Sequence, residues 1–232
     1  MTDTGTASPS RLPSAEAGSG PLPALSGGGA RGARMVLQGD VLDFTDDPGF
    51  APPAESPGLR WRPDHAVLID EEGRIAQVQP RGEALPDGWR DATVLDHGGR
   101  LILPGFIDTH VHCPQLDVIA SYGAELLDWL DTYTFPAERR YADPQVSRTG
   151  ARRFIDALWA HGTTAAVVFP TVHKVSAEAL FEAAAASHMR MVTGKVLRDR
   201  HAPDGLRDDG AQAERDCVDL IARWHGRRRQ AF

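Results

Sequence analysis

Hydrophobic and polar residues change rhythm along this chain near residue 103. Before that point, short stretches at 35–42, 65–70, 74–79, 92–96 and 100–103 alternate with a period of about two, so each predicts a strand. Glu72-Gly73 lies between the second and third and predicts a hairpin turn, because glycine takes positive φ without steric cost. Several short strands without a helical pattern predict a small β-sandwich domain over residues 35–102.

After residue 103 strands alternate with helices. A strand over 104–112 precedes a helical stretch containing Leu126, Leu127, Trp129 and Leu130. The next helix is expected over 143–161, with Ile155, Leu158 and Trp159 at helical spacing and Gly162 placed to end it. The run Thr-Thr-Ala-Ala-Val-Val-Phe at 163–169 is apolar enough for a strand covered on both faces. A helix over 176–187 opens on Ser176 with Glu178 just inside, a strand over 190–196 follows, and a helix is expected over 211–224. This alternation predicts an α/β fold, a partial TIM-type (β/α) barrel preceded by the β-sandwich. Residues 103–232 hold the first three strand-helix units, whereas a closed eight-stranded barrel takes roughly 250 residues.

Composition narrows the function classes. Residues 1–34 are rich in Ser, Gly, Pro and Ala and are expected to form a disordered tail without the apolar centre of a signal peptide. No run approaches the roughly 18–20 apolar residues of a membrane-spanning helix. A net charge of -7 leaves no electrostatic footprint for nucleic acid or an anionic membrane, so neither is expected as a partner. The triplet Arg227-Arg228-Arg229 reads as a solvated helix end. Two cysteines, Cys113 and Cys217, make neither a disulfide framework nor a Cys-x-x-Cys zinc site, which fits a reducing, cytoplasmic location.

The candidate chemistry sits in His110-Val111-His112. Side chains two apart on a strand point the same way, so both imidazoles face one side at a strand's C-terminal end, where barrels keep their catalytic groups. Neutral imidazole is the commonest protein ligand for zinc, and zinc makes water nucleophilic near neutral pH. Asp108, two residues earlier, reads either as a polar support orienting the metal-binding strand or as a buried polar group satisfied by backbone. By the same alternation Cys113 points away from the metal. Trp129, Tyr133 and Phe135 either wall a pocket or simply pack, and His173 either faces the site or is a loop histidine.

Leu103-Pro104-Gly105-Phe106-Ile107-Asp108-Thr109-His110-Val111-His112 resembles the metal motif of the amidohydrolase superfamily. The segments Cys113-Pro114-Gln115, Leu126 through Glu138, Gly162-Thr163-Thr164, Thr171-Val172-His173 and Gly194-Lys195-Val196 resemble its guanine deaminase branch, although His201 stands where that branch has Asn. The resemblance implies zinc-dependent hydrolysis of guanine to xanthine and ammonia in guanine catabolism, with one zinc per subunit and a homodimer. His110 and His112 are then two zinc ligands, Gln115 reads the purine through its amide, and Trp129 is a substrate-binding candidate. It further implies that the remaining ligands and the proton-shuttling glutamate belong to strands past Phe232. The 232-residue chain is accordingly expected to be an inactive fragment that binds zinc poorly. Two alternatives stay open: an amidohydrolase that deaminates or dechlorinates another aminated heterocycle, and a non-catalytic relic.

Overall fold

The computed structural model describes residues 32–232 apart from Ala51, Pro53, Ala54 and Arg228. Nearly all of the tail expected over 1–34 lies outside the described residues. Residues 32–34 belong instead to the folded part, since the Gly32 N–H donates to the Glu71 carbonyl (2.8 Å) and Thr93 N–H to that of Arg34 (2.9 Å).

The first sheet has the order β3-β2-β1-β4, built from β1 (Met35–Phe44), β2 (Leu59–Ile69), β3 (Ile75–Pro80) and β4 (Thr93–Ile102). β1 pairs antiparallel with β2 and parallel with β4. Asp70 and Gly73 (φ 75°) close the expected hairpin, the Asp70 carboxylate accepting from the N–H of Glu72 and Arg74. Two departures from the period-two reading have physical causes. β2 starts at Leu59 because its first residues are held by charge, with Arg60 bidentate on Asp43 of β1 at 2.6 and 2.9 Å. The stretches at 92–96 and 100–103 are one strand, with Gly98 at φ 58° and a register shift against β1 absorbing the irregularity between them. Val36, Ala66, Leu68 and Trp89 form the small core. Among the described residues these strands make one sheet; a second sheet facing it, as a sandwich requires, is not among them.

The second sheet is parallel throughout, in the order β5-β6-β7-β8: β5 (Phe106–His112), β6 (Thr163–Phe169), β7 (Arg190–Thr193) and β8 (Gln230–Ala231). Its connections carry α1 (Leu126–Trp129), a π-turn (Leu130–Thr134), α2 (Phe135–Arg140), α3 (Pro144–Ala160), α4 (Lys174–Ala186) and α5 (Gly210–Trp224). One face is covered by helices: Ala166, Val168 and Met191 from the strands meet Phe154, Ile155 and Leu158 of α3 and Leu180 of α4. β8 escaped the sequence reading because two residues carry no periodicity. Arg227 and Arg229 lie between α5 and β8, beyond the helix end expected for them, and Arg228 is outside the described residues.

Helix ends follow local chemistry. Asp143 caps α3 by accepting from Gln145 and Val146 N–H (2.6 and 3.2 Å), and Gly162 at φ 77° ends the connection from it. α4 begins two residues before Ser176. The Ser176 hydroxyl does not cap that helix; it donates to the His173 carbonyl (2.8 Å) and meets the Thr171 hydroxyl (2.7 Å). No helix among the described residues is long and apolar enough to cross a membrane.

Gly150 of α3 packs directly on the buried Tyr141 ring, so that a methyl group there would overlap the Tyr141 hydroxyl. Gly150→Ala is expected to destabilise the fold by about 1–3 kcal/mol, the usual cost of overfilling a packed contact. Urea denaturation checks this, and an unchanged midpoint would contradict it.

Candidate active site

The site stands at the C-terminal ends of β5 and β6. β5 carries an extra residue there, because Asp108 pairs with Ala166 while Val111 pairs with Val168. Such a bulge re-aims side chains and is common beside active sites. The Asp108 carboxylate turns back onto its own strand and accepts the His110 N–H at 3.0 Å. Asp108 thus holds the bulged backbone, and the strict two-residue alternation is interrupted between it and Val111.

Beyond the bulge, His112 is in register with Phe169. The rings of His110, His112 and Phe169 form a compact triangle, with centroids 5.2 Å apart for the two histidines, 5.1 Å for His110 and Phe169, and 4.9 Å for His112 and Phe169. Burial, with the neighbouring His110 and the Arg198 charge adding to it, holds the His112 pKa below the usual imidazole value. His112 is therefore neutral under ordinary conditions and can offer a nitrogen lone pair.

Asp108, His110, His112, Gln115 and Trp129 line one cavity of about 790 Å³, whose other wall is α3 through Phe154, Ala157 and Leu158 and which extends to Thr163 at the start of β6. Gln115 reaches it from a short 3-10 helix, Cys113–Val118, that follows β5 directly. Trp129, on α1, is oriented by a hydrogen bond from its indole N–H to the Ser121 hydroxyl (2.8 Å). Tyr133 and Phe135 are not part of the lining, and Phe135 lies under the Arg198 guanidinium at 5.3 Å. His173 directly precedes α4 and is also outside the cavity. Its imidazole is kept below its ordinary pKa by burial and by Lys195, whose ammonium pairs with Asp208. Cys113 is buried in the core, as alternation predicts.

Sequence reasoning missed two features. Phe169 ends the apolar strand run and looked like one more core residue. Glu138, with a side chain only 2% exposed, receives two hydrogen bonds from Arg198 at 2.7 and 3.3 Å. Those partners are 60 residues apart, and no local pattern joins them.

The profile of the amidohydrolase family matches residues 101–231, more than half of the chain. The chain belongs to the amidohydrolase family. Guanine deaminase of Escherichia coli K12 is 42% identical over 196 residues, covering 82% of this chain and 43% of that protein. Among solved structures, guanine deaminase from Bradyrhizobium japonicum superposes with a TM-score of 0.78 at 34% identity, over 85% of this chain and 42% of its own. Guanine deaminase from C. acetobutylicum, with guanine bound in its active site, gives 0.71 at 26% identity, over 84% and 43%. This amidohydrolase chain therefore spans less than half the length of the relatives it matches.

Metal chemistry, typical of the family, finds two suitable donors here. His110 and His112 share a cavity, and one is held neutral as ligation requires. No group of three or more His, Cys, Asp or Glu that could hold a metal occurs among the described residues. Two histidines fall short of the three protein ligands that catalytic zinc takes.

Two stability tests follow from these surroundings. Arg198→Met leaves the Glu138 carboxylate buried without its cation and is expected to cost about 3–5 kcal/mol, part of which Glu138→Gln restores in the double variant; additive losses in urea denaturation would refute the coupling. Burial pushes the Cys113 thiol from 9.0 up to about 12. The folded protein then keeps a proton that the unfolded chain releases. This contribution is fully present below pH 9.0 and falls as pH rises toward 12. Denaturation midpoints across that range should decline less steeply in Cys113→Ala.

Proposed function

We propose that this chain carries the zinc-binding and purine-reading part of a guanine deaminase, which hydrolyses guanine to xanthine and ammonia. The observation that carries the reading is the convergence of His110, His112, Gln115 and Trp129 on one cavity beside β5, in a chain 42% identical to the Escherichia coli enzyme.

His110 and His112 would hold the zinc, one ion per subunit, and further donors come from outside the described residues. Zinc bound there supplies Lewis-acid activation of water, giving a nucleophile near neutral pH. Gln115 presents both a hydrogen-bond donor and an acceptor to the cavity, which suits the mixed donor and acceptor edge of a guanine ring. Trp129, fixed by Ser121, offers a flat apolar wall against which a planar purine can lie. Asp108 keeps the bulged strand in the conformation that aims His110 inward. Water adds at the carbon bearing the exocyclic amine, and that nitrogen leaves as ammonia once protonated. The same reading makes the protein a cytoplasmic homodimer whose first sheet forms one layer of a small β-sandwich.

Turnover is to be measured on the 232-residue chain and on the chain continued by the part of the Escherichia coli enzyme lying beyond the matched stretch. The continued chain should convert guanine and lose activity to a chelator, with zinc restoring it. His110→Ala or His112→Ala should lower turnover at least about 100-fold, and Gln115→Ala should raise KM for guanine about 10-fold. A folded, zinc-loaded continued chain that leaves guanine intact would overturn the reading.

A further inference from the structure

Phe169 is large, apolar and 38% exposed, although its neighbour Val168 is buried in the helix-facing core. Successive residues of a strand face opposite ways, so Phe169 looks toward the other side of the sheet, where the histidines are. Its ring contacts among the described residues are the two imidazoles. Parallel pairing puts in-register residues one strand spacing apart, about 4.8 Å, which matches the separation of stacked rings. The His112 ring accordingly lies on Phe169 at 4.9 Å and 17° between planes. Phe169 meets His110 at 5.1 Å and 47°, and the two imidazoles meet at 60°.

This packing has a chemical consequence. An imidazole lone pair lies in the ring plane, whereas stacking occupies the ring face. One aromatic ring can therefore restrict both histidines while leaving their nitrogens free to coordinate. His110 is itself exposed and stands on a bulge, so without that neighbour its ring would be free to rotate. Ligation would then carry the entropy of freezing two side chains, which a preorganised pair has already lost.

We propose that Phe169 is a positioning residue for the metal site: its ring, packed against both His110 and His112, holds the two imidazoles in the orientation that binds the divalent ion. This rests on the zinc reading of the histidine pair and deepens it by naming what orients the donors.

The test is zinc affinity of the chain continued by the part of the Escherichia coli enzyme lying beyond the matched stretch, measured by competition with a chromophoric chelator, in wild type, Phe169→Leu, Phe169→Tyr, His110→Ala and His112→Ala. Leucine keeps much of the volume and loses the flat face, so Phe169→Leu should weaken zinc binding about 10-fold, the scale on which groups that orient ligands act. Phe169→Tyr, which keeps the ring, should stay within about 2-fold of wild type. A structural role alone would not separate these variants once circular dichroism shows equal folding. Imidazole proton resonances provide a second reading independent of metal: the ring current of Phe169 should shift them in wild type and Phe169→Tyr, and the shift should vanish in Phe169→Leu. Zinc binding that the histidine variants abolish but Phe169→Leu leaves unchanged would overturn the positioning role and leave the zinc reading standing. Wild-type binding that is absent, or indifferent to both histidine variants, would overturn both.

Discussion

Parallel pairing of β5 with β6 is the constraint on which the site depends, because it sets two different surfaces at once. On the helix side it aligns Val111 with Val168, and their burial against α3 and α4 keeps the strands from slipping. On the other side the same register sets His112 beside Phe169. A slip by one residue would exchange the two faces of the strand and send a histidine toward the helices. The hydrophobic core thus bears on the geometry of the imidazoles and reaches the cavity itself, since Val111 and Phe154 and Leu158 of α3 line it beside the histidines.

Two ion pairs anchor the segments around those strand ends. Glu138 of α2 holds Arg198 from the connection after β7, and Lys195 in that connection pairs with Asp208, whose other oxygen accepts the Arg198 N–H at 3.0 Å. Buried pairs of this kind add little net stability over an apolar contact, but they tolerate few alternative arrangements. Their effect is to fix how α2 and the 194–209 connection meet. The Arg198 charge also bears on His112, so the tie that shapes the rim contributes to keeping that imidazole neutral.

Family membership explains why these features occur together, and the physics explains what each residue does. A strand ending in two imidazoles provides donors, the following turn brings Gln115 to the same cavity, and α1 supplies Trp129. Amidohydrolase relatives named as guanine deaminases share this stretch of chain at up to 42% identity among those compared. The proposed reaction draws on His110, His112, Gln115 and Trp129 for part of its groups and requires further metal ligands and a proton carrier besides.

Much was legible in the residues alone. Periodicity located the first strand, the strand over 163–169 and all three long helices to within a few residues, because each buries one face against a core and must repeat accordingly, while the start of β2 was missed by six residues. The shared face of the histidine pair and the inward-turned Cys113 were readable from local spacing, since strand alternation is a property of neighbouring residues, whereas Gln115 came from the family resemblance alone. Tertiary structure decided the rest. The bulge at Asp108 and the fusion of two stretches into β4 depend on what the partner strand offers, and β8 is too short to carry a pattern. Phe169 as a companion of the histidines and Arg198 as the cation of Glu138 were invisible for the same reason. Their meaning lies in contacts between segments tens of residues apart, which only the packed chain brings together.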